Sequence, residues 1–85
     1  MEIKVKEMYL DEWIKLNQFI SKNYDWKKHE HLVYISGIES VGLTDNYKGR
    51  KGDMHQIYRN IILVVKNDIL PEKKSELEAI IKPVE

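Results

Sequence analysis

Apolar and polar residues alternate along three stretches of the chain with the period of β-strands. Residues 2–8 place aliphatic side chains on one side and lysines on the other, which predicts a short strand with one buried face. Residues 32–43 predict a second strand, and residues 57–67 a third. The third stretch is apolar on both parities, so we expect its strand to lie in the centre of a sheet, covered on both faces.

The second predicted strand has an irregular pattern around Gly37. A glycine inside a strand often marks a β-bulge or a close approach by another backbone. Around Gly37, and opposite in parity to Tyr34 and Ile38, four aliphatic residues alternate. These are Val33, Ile35, Val41 and Leu43.

Two further stretches have helical spacing. In residues 10–24 the apolar positions recur every three or four residues, and Asp11 lies in the first turn, where the helix dipole favours an anion. Residues 71–82 predict a second helix. Pro71 suits its first turn, and Pro83 is expected to end it.

Together these elements predict a single α+β domain over residues 1–85 in the order β-α-β-β-α. A right-handed crossover from the first to the second strand leaves the third strand in the centre of a three-stranded sheet, with both helices packed on one face. The other face would then expose part of the doubly apolar third strand. A second copy of the chain is the expected cover, which predicts a homodimer through the sheet.

Composition narrows the class of protein. The chain has 85 residues, 42% hydrophobic and 33% charged, with no net charge and no cysteine. Disulfides and thiolate chemistry are therefore excluded. No stretch is apolar enough to span a membrane and no signal peptide is recognisable, so we expect a cytoplasmic protein without a membrane partner. Abundant lysine and isoleucine are typical of AT-rich genomes, which suggests a phage or another mobile element as the source.

The candidate binding surface lies in residues 44–60, which the pattern predicts as a long loop. Turn residues, positive charge and aromatic rings coincide there. Its candidate binding residues are Tyr47, Lys48, Arg50, Lys51 and Tyr58. The loop is long for a plain hairpin connection, which favours a functional role. Trp26, in the predicted connector of residues 25–31, is a further candidate anchor, because Trp, Tyr and Arg dominate interface energetics.

No pattern indicates catalysis. Neither a P-loop nor an HExxH motif is present, and we expect no catalytic residue, no cofactor and no metal site, with His29, His31 and His55 as surface histidines. The sequence therefore favours a small non-catalytic interaction protein that binds and modulates or inhibits a protein partner. One alternative is nucleic-acid binding through the same basic and aromatic loop. A weaker alternative is a small ribonuclease that uses Asp53 and His55 as acid and base.

Overall fold

A computed structural model of the chain describes residues 1–81, and the predicted helix end at Pro83 lies outside them. Within those residues five strands and two helices follow one another. They are β1 (Glu2–Tyr9), α1 (Leu10–Lys22), β2 (Tyr24–Asp25), β3 (Glu30–His31), β4 (Val33–Tyr47), β5 (Arg50–Val65) and α2 (Pro71–Ile81). Neither helix is long and apolar enough to cross a membrane.

The α+β class is shown, but the predicted three-stranded β-α-β-β-α architecture is wrong. The described chain is mostly sheet, with a three-stranded sheet and a separate two-stranded one. The second sheet falls within the predicted connector. There the Asp25 carboxylate accepts hydrogen bonds from the backbone N–H groups of Lys27 and Lys28 at 2.9 and 3.3 Å, and His29 has a positive φ of 55°. This local turn pairs β2 with β3.

Residues 44–60 form strands of a long hairpin, so the predicted loop is also wrong. β4 and β5 meet at a two-residue turn, and Tyr47 pairs with Arg50. Lys48 and Gly49 both have positive φ, 50° and 88°. A type I′ hairpin turn requires positive φ at both central residues, and its twist matches that of the paired strands. Charged and glycine residues therefore lie in paired strands, where composition alone indicates a loop.

In the larger sheet β5 lies between β1 and β4 and is antiparallel to both. Its apolar residues Ile61, Leu63 and Val65 are buried. They share one core with α1 and α2, to which the helices contribute Leu16, Phe19, Leu77 and Ile81. Burial of these aliphatic and aromatic side chains is the main force that holds the helices on the sheet.

The alternation of buried and exposed residues changes phase partway along the sheet. In β5, Tyr58 is the next core residue before Ile61, and Asn60 between them has a positive φ of 52°. In β4 the register shifts between Ile35 and Gly37, which confirms the bulge predicted there. Before the shift Val33 lies opposite buried Val65, and after it Ile38 lies opposite buried Ile61, so the inward residues change parity at the bulge.

The far half of the hairpin leaves the core. Within β4, only Val33 is buried. Val41 is 55% exposed and Leu43 is 63% exposed, so the helices do not cover this part of the strand. The molecule is accordingly elongated, with dimensions of 46 × 23 × 19 Å.

Candidate interaction surface

The hairpin tip is fastened to the start of α1. The Tyr47 hydroxyl donates a 3.0 Å hydrogen bond to Asp11 Oδ2, and Lys48 Nζ lies 3.5 Å from the same oxygen. The Tyr9 hydroxyl donates to the carbonyl oxygen of Asn46 and accepts from the backbone N–H of Lys48, both at 3.2 Å. Two of the predicted binding residues are thus engaged within the chain and hold the tip in one position.

Charge at this contact favours the ionised forms of both partners. Desolvation opposes ionisation of Asp11, but the hydrogen bond from Tyr47 and the charge of Lys48 outweigh it and lower the pKa of Asp11. The pKa of Lys48 is raised, first by its hydrogen bond with Tyr47 and then by the nearby Asp11 carboxylate. Both side chains are largely exposed, so the ion pair adds little to stability and mainly sets the position of the tip.

Tyr58 does not belong to this surface. Its side chain is only 9% exposed and stacks on Trp13 of α1, with ring centroids 4.2 Å apart and planes at 6°. The structure therefore places Tyr58 in the core, where it joins β5 to α1. The sequence shows an aromatic residue near a basic cluster but not that the phase shift at Asn60 turns it inward.

Trp26 lies well away from the tip. It is 76% exposed, on the turn between β2 and β3, and packs edge-to-face against Tyr24 at 4.7 Å. That turn lies close in sequence to the beginning of β4, whereas Tyr47 lies at its end. A fifteen-residue strand separates them, so the structure does not bring Trp26 together with the other candidates.

A small cleft at the hairpin end gathers the remaining candidates. It has a volume of about 280 Å³ and is lined by Tyr47, Arg50, Lys51, Asp53 and His55. The His55 ring stacks on Tyr47 with centroids 4.4 Å apart. Positive charge and an aromatic face therefore share one concavity. Among residues 1–81 no group of three metal-binding side chains comes together.

A larger exposed feature of the hairpin is apolar. Val41, Leu43 and Met54, here called the hairpin patch, are 55%, 63% and 59% exposed. Val41 lies opposite Tyr58 and Leu43 opposite Gln56, and Met54 is two residues from Gln56 along β5. Alternate residues and their cross-strand partners lie on one face of a sheet, so Val41 and Leu43 share a face, and Met54 lies in the neighbouring stretch of β5 where the register shifts. The sequence pattern did not indicate this exposure, because alternation in a strand predicts which residues share a face and not whether that face is covered.

Comparison with models of protein families, with curated proteins and with solved structures finds no match for this chain.

Proposed function

We propose that the chain is a non-catalytic interaction protein that binds a protein partner through the hairpin patch and thereby modulates or inhibits it. The exposure of Val41, Leu43 and Met54 carries the proposal. Removing apolar surface from water is favourable by about 25 cal/mol per Å². Three exposed apolar side chains on one hairpin therefore offer a partner more apolar area than scattered surface residues do.

The hairpin is held in place before any partner arrives. A two-residue turn closes it, and the contacts of Tyr47 and Lys48 with Asp11 fasten its tip to α1. A surface that is already ordered loses less conformational entropy on association. This supports recognition by a rigid face rather than by a flexible loop.

Charge around the patch indicates the chemistry of the partner. Residues 44–60 contain four basic and two acidic side chains. Arg50 and Lys51 are exposed near the tip. A complementary partner therefore presents an apolar surface with an acidic rim, and such charges chiefly steer association and set specificity.

The test compares patch variants with a matched control. Wild-type protein captures its partner from the source cells, and affinity is then measured with the purified partner by calorimetry. Leu43→Asp and Met54→Asp are each expected to weaken binding at least about tenfold, as for central interface residues. Leu70→Asp is the control, because Leu70 is as exposed as Met54, at 59%, but lies before α2. Wild-type affinity in both patch variants, or an equal loss in the control, would contradict the proposal.

The predicted acidic rim of the partner can be tested separately, through the association rate. Arg50→Glu is expected to slow association, and the effect should shrink as salt is added, because exposed charges are screened. Dissociation should change less. If Arg50→Glu leaves the association rate and its salt dependence unchanged, the prediction of an acidic rim on the partner is wrong. That holds even if the patch variants lose binding.

A second candidate function, nucleic-acid binding, is favoured by the cleft at the hairpin end. There Arg50 and Lys51 lie beside the stacked rings of Tyr47 and His55. Two phosphate contacts on duplex DNA would give a log–log salt slope of about −2. Fluorescence anisotropy with labelled single- and double-stranded oligonucleotides tests this, and no binding at low salt excludes it.

The ribonuclease alternative shares the same cleft. Asp53 and His55 both line it. A general acid or base must lie within hydrogen-bond distance of the proton that it transfers. If His55 has this role, loss of its imidazole should abolish cleavage. His55→Ala is therefore expected to abolish RNA cleavage while His29→Ala retains it. Equal cleavage by wild type and His55→Ala would remove this role.

A further inference from the structure

The outer edge of β4 is unpaired in the part of the chain that the structure describes, residues 1–81. The strand order is β1-β5-β4, so only the inner edge of β4 is hydrogen-bonded to β5. β4 is fifteen residues long, Val33–Tyr47. Such an edge presents a row of backbone N–H and C=O groups that can template the addition of another strand.

The two edges of the sheet differ in the residues that protect them. β1 carries Lys4 and Lys6, of the residue type that most often blocks strand addition. Residues 33–47 contain no lysine, arginine or proline. Register shifts interrupt β4 between Ile35 and Gly37 and again between Thr44 and Asn46. Between those shifts, residues 37–44 form an edge without lysine, arginine or proline, with one change of phase where Glu39 faces Asn60.

The one charged side chain in that segment is directed towards β5. Asn60 Nδ2 donates a 2.7 Å hydrogen bond to Glu39 Oε2. Asn60 belongs to β5, so the bond draws the Glu39 carboxylate across the sheet and away from the outer edge of β4. An incoming strand therefore meets backbone groups flanked by small or apolar side chains.

We infer that a second copy of this chain pairs with β4 along this edge, antiparallel, with the two-fold axis at Val41. In a continuous sheet directly opposed residues share a face, so the axis passes through a residue rather than between two. At Val41 the axis places two valines in contact and Glu39 opposite the partner's Leu43. At Gly42 it would oppose Glu39 to the partner's Asp45, and like charges directly opposite are destabilising.

The product is a six-stranded sheet in which the two hairpin patches lie side by side on one face. We take a second copy as the incoming strand because pairing about Val41 brings identical valines together and opposes no like charges. The pairing does not depend on whether the hairpin patch binds a partner. It replaces the earlier expectation of a homodimer through the sheet face with pairing through the sheet edge.

Sedimentation equilibrium of the full chain tests the pairing. Wild type is expected at twice the monomer mass of 10.1 kDa, falling towards that mass on dilution. Val41→Lys places like charges at the axis and should sediment as the monomer at all concentrations. Met54→Lys makes the same charge change at an exposed residue of β5 and should remain dimeric. A wild-type monomer at the highest attainable concentration, or a dimeric Val41→Lys, overturns the inference.

A second variant and a second measurement guard against misfolding. Ser40→Lys changes an exposed polar position on the same edge and should also give a folded monomer, as judged by circular dichroism. Hydrogen exchange should show amides in residues 37–44 that are protected in wild type and lose protection in Ser40→Lys. Unchanged protection there would show that the edge is not the contact. A dimeric Met54→Lys that has lost its protein partner would separate this pairing from the proposed function.

Discussion

The Tyr47 hydroxyl donates a 3.0 Å hydrogen bond to Asp11, and so joins the end of β4 to the first turn of α1. The two residues are far apart in the chain. The Tyr47 ring also packs edge-to-face on Tyr9, with centroids 4.8 Å apart. One aromatic residue at the hairpin tip therefore holds in place the hairpin that carries both the hairpin patch and the outer edge of β4.

Removing that hydroxyl should cost a modest amount of stability. Tyr47→Phe keeps the ring contacts and loses the bond, so we expect a loss of about 0.5–1 kcal/mol in the free energy of unfolding, the lower part of the usual range for a hydrogen bond near the surface. Urea denaturation measures it. Tyr34→Phe is the control, because Tyr34 is 42% exposed and lies at the opposite end of β4 from the Tyr47–Asp11 contact. Equal losses in the two variants would contradict the contact.

Asp11 should make stability depend on acid pH. Its pKa in the folded protein is lowered, because the bond from Tyr47 and the charge of Lys48 outweigh desolvation. Folding therefore favours the carboxylate, and this contribution is present above the ordinary aspartate pKa and lost as pH falls through the lowered value. Tyr47→Phe should raise the pKa of Asp11 in a carbon-13 NMR titration while leaving that of Asp68 unchanged. An unmoved Asp11 titration would refute the coupling.

Asn60 should tolerate glycine and reject β-branched residues. Its φ of 52° is one that L-residues other than Asn, Asp and Gly adopt at a cost of about 1–2 kcal/mol. We expect Asn60→Val to lower the free energy of unfolding by roughly that amount, and Asn60→Gly to change it much less. Thermal unfolding of the pair measures the difference. Similar values for Val and Gly would mean that Asn60 has an ordinary strand conformation.

Two leucines near α2 should differ sharply on truncation. Leu77 is fully buried and Leu70 is exposed. Leu77→Ala removes core contacts and leaves a cavity, so we expect a loss of about 2–5 kcal/mol. Leu70→Ala should change stability by no more than about 0.5 kcal/mol, as surface substitutions do. Chemical denaturation of the two proteins compares them directly, and a small loss for Leu77→Ala would mean that α2 is not docked through this residue.

The sequence predicted the fold best where one pattern dominates. The doubly apolar run around Ile61–Val65 indicated the middle strand, and β5 does lie between the other two. The spacing in α1 and the proline at the start of α2 also indicated helices where helices occur. These elements are determined mainly by which residues are buried, and the periodicity of apolar residues indicates which residues those are.

The hairpin could not be read from pattern because its local signals conflict. Lys48 adopts a left-handed conformation at the turn, which is uncommon for lysine, and charged residues continue into both strands. Pairing between β4 and β5 overrides these weak preferences. Because residues 44–60 form paired strands and not a loop, the candidate binding residues lie elsewhere than predicted. Tyr58 moved into the core, Tyr47 and Lys48 became part of an internal contact, and the apolar hairpin patch was missed.

The order of pairing has a consequence for how the chain reaches this structure. β4 and β5 are neighbours in sequence and can zip from their shared turn, whereas β1 must return from the opposite end of the chain to pair with β5. Closing that long loop costs entropy before its contacts compensate for it. If β1 docks late, truncating its buried Val5 to alanine should accelerate unfolding and leave the folding rate nearly unchanged in stopped-flow kinetics. The hairpin, with its exposed surface, would then form before β1 docks on the folding pathway.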